Sequence, residues 1–107
     1  MNQERLVQLQ NLLESSPNDS FLLYAIAKEL EGLKRTEEAL QGYQQLTELH
    51  PNYVGTYYHY AKLLEEEEEF TAALDVYQAG IAVARQQGDL HALGELSNAK
   101  TNLELEL

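Results

Sequence analysis

Cysteine is missing from the 107 residues, which removes both a disulfide framework and a thiolate metal site. Basic residues are scarce, seven Lys and Arg against eighteen Asp and Glu, for a net charge of −11. That balance argues against nucleic acid, because phosphate binding needs a basic footprint. It disfavours anionic membrane surfaces for the same reason. No apolar run reaches the roughly 18 residues that a membrane-spanning helix requires. The first residues, "MNQERLVQLQNLL", have neither the basic start nor the apolar core of a secretory signal, so a cytoplasmic location is expected. The three histidines, His50, His59 and His91, are far apart, and none pairs with another at helical ligand spacing. Gly-rich phosphate cradles, HExxH and a nucleophile elbow are all absent. No catalytic residue, cofactor or metal is therefore expected.

Proline is rare as well, and its placement is informative. Pro17 and Pro51 stand 34 residues apart, each closing a segment of helical apolar rhythm. At that interval Tyr24 pairs with Tyr58, Ala27 with Ala61, Lys28 with Lys62, and Leu30 with Leu64. Glu31 pairs with Glu65, Ala39 with Ala73, Leu40 with Leu74, Tyr43 with Tyr77, and Gln44 with Gln78. Self-similarity at a fixed period marks a repeat architecture.

Each unit reads as two helices. The first runs from about Asp19 to Glu31, with Asn18 or Asp19 as N-cap. Gly32 breaks the pattern, "LKR" turns the chain, and Glu38 falls in the first turn of the next helix, where negative charge suits the dipole. Ala39, Leu40, Tyr43, Leu46 and Leu49 carry that helix to His50-Pro51. The second copy uses Tyr57, Tyr60, Ala61 and Leu64, then Phe70, Ala73, Leu74, Tyr77 and Ile81. Ala27, Ala61, Ala39 and Ala73 fall where paired helices cross most closely, since side-chain size sets the interaxial distance.

Leu23-x2-Ile26-Ala27-x2-Leu30, Ala39-x3-Tyr43 and Pro51 resemble the tetratricopeptide repeat signature. Tyr57-x2-Tyr60-Ala61-x2-Leu64 and Ala73-x3-Tyr77 resemble it again. Leu23 and Tyr57 stand at the usual tryptophan position, and Arg85 stands where the second copy's closing proline would be. The resemblance implies an all-α solenoid of antiparallel helix hairpins, about six helices in a single domain, like short stand-alone bacterial members of the family. Residues 1–17 would form an N-terminal half-repeat helix with Leu6, Leu9, Leu12 and Leu13 on one face. Residues 20–53 and 54–87 would be the two repeats. Gly88-Asp89 would stop one helix and cap the next, and 89–107 would be a capping helix with Leu90, Leu93, Leu96, Ala99 and Leu103 on one face.

The resemblance also implies a non-enzymatic interaction scaffold, in which the first helix of each hairpin lines a concave groove for a partner's peptide or helix. Carried over, that face holds Phe21, Tyr24, Ala25 and Lys28, then Gly55, Tyr58, His59 and Lys62, with Glu65 or Glu66 at its edge. His91 and Glu95 or Asn98 would follow from the last helix. Tyr24 with Lys28 and Tyr58 with Lys62 form an aromatic–cation ladder. An equally open reading has the tyrosines shielding core while Lys28 and Lys62 pair with Glu31 and with Glu65 or Glu66. The carboxylate clamp of chaperone-binding relatives is not matched, because Tyr24 and Tyr58 occupy places where it uses Lys or another polar group. Self-association through the leucine-bearing terminal helices is the alternative function. The run Glu65 to Glu69 aligns with the turn at Glu31 to Arg35, so it reads as a solvated turn.

Overall fold

A computed structural model describes residues 2–107, which divide into two compact units that part between His50 and Pro51. All regular structure among the described residues is α-helical. The first unit holds α1 (Asn2–Ser15), α2 (Ser20–Gly32) and α3 (Thr36–Leu49). The second holds α4 (Gly55–Glu66), α5 (Phe70–Gln87) and α6 (Leu90–Glu106).

In the first unit α2 packs against both α1 and α3. Asp19 starts α2 as its N-cap, and its Oδ1 accepts from the Leu22 amide at 2.9 Å. This satisfies one amide that the first helical turn leaves without a partner. Gly32 is the last helical residue, so the pattern ends there as expected, and the left-handed position follows two residues later at Lys34 (φ 64°). There the Arg35 amide donates to Leu30 O and the Lys34 amide to Glu31 O, both at 3.0 Å. That pair of bonds closes the helix with a Schellman motif and supplies partners for carbonyls left open at its end.

Leu6, Leu9, Leu23, Ala25, Ala27, Leu30, Ala39, Tyr43 and Leu46 form the buried apolar set of this unit. Ala27 and Ala39 are wholly buried, as the crossing argument requires, and a Cβ added at Gly42 would stand 3.3 Å from the Ala27 Cβ. The backbones of α2 and α3 approach closely at that point. Leu12, expected on the packed face of α1, is instead 58% exposed. It lies at the edge of the stripe made by Leu6 and Leu9, roughly 100° of helix rotation from its centre. Arg5 Nε meets Glu29 Oε1 at 2.7 Å, tying α1 to α2, and His50 Nε2 lies 2.5 Å from Asn18 O.

The second unit packs α5 against α4 and α6, with α6 also touching α4. The helices converge at Gly80, where an added Cβ would meet Tyr57 Cβ at 2.5 Å and Leu96 Cδ1 at 3.1 Å. Only a glycine fits there without displacing a neighbour. Ala61 and Ala73 are wholly buried, alongside Tyr77, Ile81, Ala84, Leu96 and Leu103. Gly88 ends α5 in the left-handed region (φ 70°), and Asp89 caps α6 through the Ala92 amide at 3.0 Å. Leu90 departs from its expected place on the packed face and is 78% exposed. It is the first residue of α6, ahead of the buried positions Leu96, Ala99 and Leu103.

Candidate functional site

The expected binding residues sit on three helices. On α2, Phe21 is exposed, while Tyr24 and Lys28 are half-buried, spaced as one stripe along the helix. Ala25, read as part of that face, is buried and cannot line it. On α6, His91 is strongly exposed, with Nε2 3.7 Å from Glu95 Oε2 one turn on.

On α4 the residues assemble most fully. Tyr58 and His59 meet edge to face, with ring centroids 5.6 Å apart and planes at 87°. Such pairs prefer this offset because ring edges are positive and ring faces negative. Lys62, one turn beyond Tyr58, places Nζ 5.9 Å from the Tyr58 ring centroid, within cation–π range. The same ammonium stands 4.0 Å from Glu65 Oε2. Glu65 is only half exposed and accepts a hydrogen bond from the Tyr77 hydroxyl of α5. A continuous set of contacts therefore runs from the buried Tyr77 to the half-exposed Tyr58 and His59.

This corrects the reading of the glutamate run. Glu66 to Glu69 are exposed, and Glu68 takes the left-handed turn position (φ 60°). Glu65 is different, since it serves as an internal acceptor. The first unit repeats the bond: Tyr43 Oη donates to Glu31 Oε1 at 2.7 Å. Burial first, then the bonded carboxylate, pushes both the Tyr43 and Tyr77 hydroxyls far above the usual tyrosine range. Burial likewise raises Tyr57, whose hydroxyl donates to Pro51 O at 2.5 Å. Glu31, Tyr43, Glu65 and Tyr77 were among the residues repeated at 34, and that recurrence was the available signal for a shared tertiary bond. Despite the run of carboxylates, the described residues contain no group of three or more side chains placed to hold a metal ion. No helix among them is long and apolar enough to cross a membrane.

No family model matches the chain, and no curated protein does. Solved structures do. The tetratricopeptide repeat domain protein from Salinibacter ruber, determined by NMR in solution, is 42% identical, with a TM-score of 0.79 over 82% of this chain and 89% of that one. The TPR2B domain of yeast Sti1, in its complex with pHsp70, has a TM-score of 0.86 at 18% identity, over 95% and 82% of the two chains. PcrH in complex with the chaperone binding region of PopD reaches 0.89 at 15% identity, over 98% and 80%. The two distant likenesses carry the fold alone. The Salinibacter domain carries more, because its identity extends over most of both chains and accompanies the 34-residue period and the buried alanines at matching phases. This chain belongs to the tetratricopeptide repeat family.

Proposed function

We propose that the chain is a non-enzymatic cytoplasmic scaffold that holds a segment of a partner protein, as an extended peptide or a helix, against the groove the family resemblance implies. Phe21, Tyr24 and Lys28 of α2, Tyr58, His59 and Lys62 of α4, and His91 of α6 would meet that segment. The observation that carries this reading is the Tyr58–His59–Lys62 assembly on α4. Tyrosine is a common interface anchor because it offers a rigid apolar ring and one hydroxyl at low entropy cost. Sti1 TPR2B with pHsp70 and PcrH with a region of PopD are complexes built on this fold, which agrees with a partner-binding role.

The test compares wild type with a Tyr58→Ala/Lys62→Ala double variant in pull-downs from the native cell. Helicity and melting should stay near wild type while capture of the partner is lost. Capture that survives unchanged sinks the assignment of the face.

Self-association is the second reading, favoured by exposed leucines in the terminal helices: Leu12, Leu90 and Leu105. Light scattering over a concentration series decides it. A strict monomer at hundreds of micromolar removes the dimer.

A further inference from the structure

We propose that Glu65, anchored from the core by Tyr77, is a positioning residue that holds the Lys62 ammonium over the Tyr58 ring. The proposal rests on the partner-binding reading of the α4 face and adds how that face is kept in one arrangement. Three observations combine. Glu65 Oε2 accepts the Tyr77 hydroxyl, and Tyr77 is wholly buried, so this carboxylate is fixed from below. The same oxygen lies 4.0 Å from Lys62 Nζ, which lies 5.9 Å from the centre of the Tyr58 ring. An isolated lysine on a helix surface samples many rotamers, and a fixed counter-charge on one side with a ring on the other selects among them.

The repeat supplies an independent reason. Tyr24, Lys28, Glu31 and Tyr43 recur at the same phases 34 residues earlier, and the Tyr43–Glu31 bond is formed there too. A glutamate needed only to solvate a turn has no cause to keep this phase with a tyrosine twelve residues on. Its neighbours in the run, Glu66 to Glu69, lie exposed, and only Glu65 combines an anchor below with a lysine above. The consequence for recognition is that the cation on α4 is already matched. A partner side chain laid on Tyr58 then meets an aromatic ring backed by a compensated charge, a surface suited to an apolar group more than to a carboxylate.

The experiment is proton–carbon NMR of the full-length chain, free of partner, following the Lys62 ε-methylene. In wild type the Tyr58 ring should shift this resonance upfield, and Tyr58→Leu should abolish that displacement. Glu65→Gln should lose most of it. Tyr77→Phe, which keeps the charge but removes the anchor, should lose part of it. Glu67→Gln removes the same charge from the exposed turn and should leave the resonance unmoved. High salt should weaken the displacement in wild type, because the pair is exposed enough to be screened. The proposal is overturned if Glu65→Gln and Tyr77→Phe both leave the Lys62 resonance at its wild-type position, or if Glu67→Gln moves it as far as Glu65→Gln does. No partner enters the measurement, so this failure is separate from failure of the pull-down.

Discussion

The α2–α3 and α4–α5 hairpins fill the same two repeat positions with different volumes. In the first, Leu23 and Leu46 are both buried leucines. Thirty-four residues on, the same phases hold Tyr57 and Gly80, where an added Cβ would fall 2.5 Å from that of Tyr57. A large ring has entered one helix and a side chain has vanished from the other. The two pairs differ in total volume, and in the second unit the room left by the missing side chain is taken by Tyr57 together with Leu96 of α6, as close packing requires.

The sharpest way to break that comparison is Gly80→Leu, which imports the first hairpin's residue without its partner. The overlap with Tyr57 and Leu96 cannot relax cheaply, and we expect a loss of about 3 kcal/mol. Urea denaturation followed by circular dichroism measures it. The double variant Tyr57→Leu/Gly80→Leu should recover only a minor part of the loss, because a leucine at 57 keeps the Cβ that stands 2.5 Å from the new one and Leu96 stays in place. Gly94→Ala in α6 is the control, since an added Cβ there meets nothing within 4 Å. It should stabilise by up to about 1 kcal/mol through helix propensity. A Gly80→Leu chain as stable as wild type would mean that α4, α5 and α6 do not converge at this glycine.

Why was the hairpin pattern legible while other features were not? Ala27, Ala39, Ala61 and Ala73 recur because their size limits how near two helices come, so the constraint is written at single positions. Asp19 and Asp89 were legible as caps for a similar reason, since a cap bonds within its own first turn. Leu12 misled because it lies at the edge of the stripe set by Leu6 and Leu9, and Leu90 because a helix end supplies no neighbour to cover it. Gly32 marked the end of α2, but the left-handed positions at Lys34 and Glu68 carried no signal, because neither residue type favours that conformation. Of the candidate site, the neighbouring Tyr58, His59 and Lys62 could be read from spacings of one and four. The bond from Tyr77 to Glu65 left only the recurrence at 34 residues as a signal, because it joins two helices and the carboxylate sits among four identical letters.

That bond gives the next test. Both units carry it, through Tyr43 to Glu31 and Tyr77 to Glu65, so Tyr43→Phe and Tyr77→Phe should have matching effects. Each removes a hydrogen bond to a carboxylate at a part-buried site, and we expect a loss of about 1–2 kcal/mol apiece, read from urea midpoints. The pH dependence has a definite sign. A tyrosine whose folded-state value is raised contributes stability fully present below its unfolded value of about 10. That stability is lost as pH rises towards the folded value. Wild type should therefore destabilise in alkali more steeply than either Phe variant. Absorbance of the phenolate should show Tyr43 and Tyr77 ionising only as the chain unfolds. Equal alkaline sensitivity in Tyr77→Phe and wild type would exclude a buried Tyr77 hydroxyl.

The smallest expected effect concerns the hairpin turns, where the two units agree with each other and differ from the end of α5. Lys34 and Glu68 hold φ values of 64° and 60° with side chains attached, while Gly88 holds 70° without one. For an L-residue the left-handed region brings Cβ close to the following carbonyl, which costs about 1 kcal/mol. Lys34→Gly and Glu68→Gly remove that strain but loosen the unfolded chain, so a net gain of about 0.5 kcal/mol is expected from each. Glu68→Gly should gain slightly more, because it also relieves repulsion along Glu66 to Glu69, and added salt should shrink that excess. Gly88→Ala should move the other way by a similar amount, although an added Cβ there meets open space. Thermal melts at low and high salt resolve the three. A gain at Gly88→Ala would show that backbone conformation, and not space, had been misjudged at the end of α5.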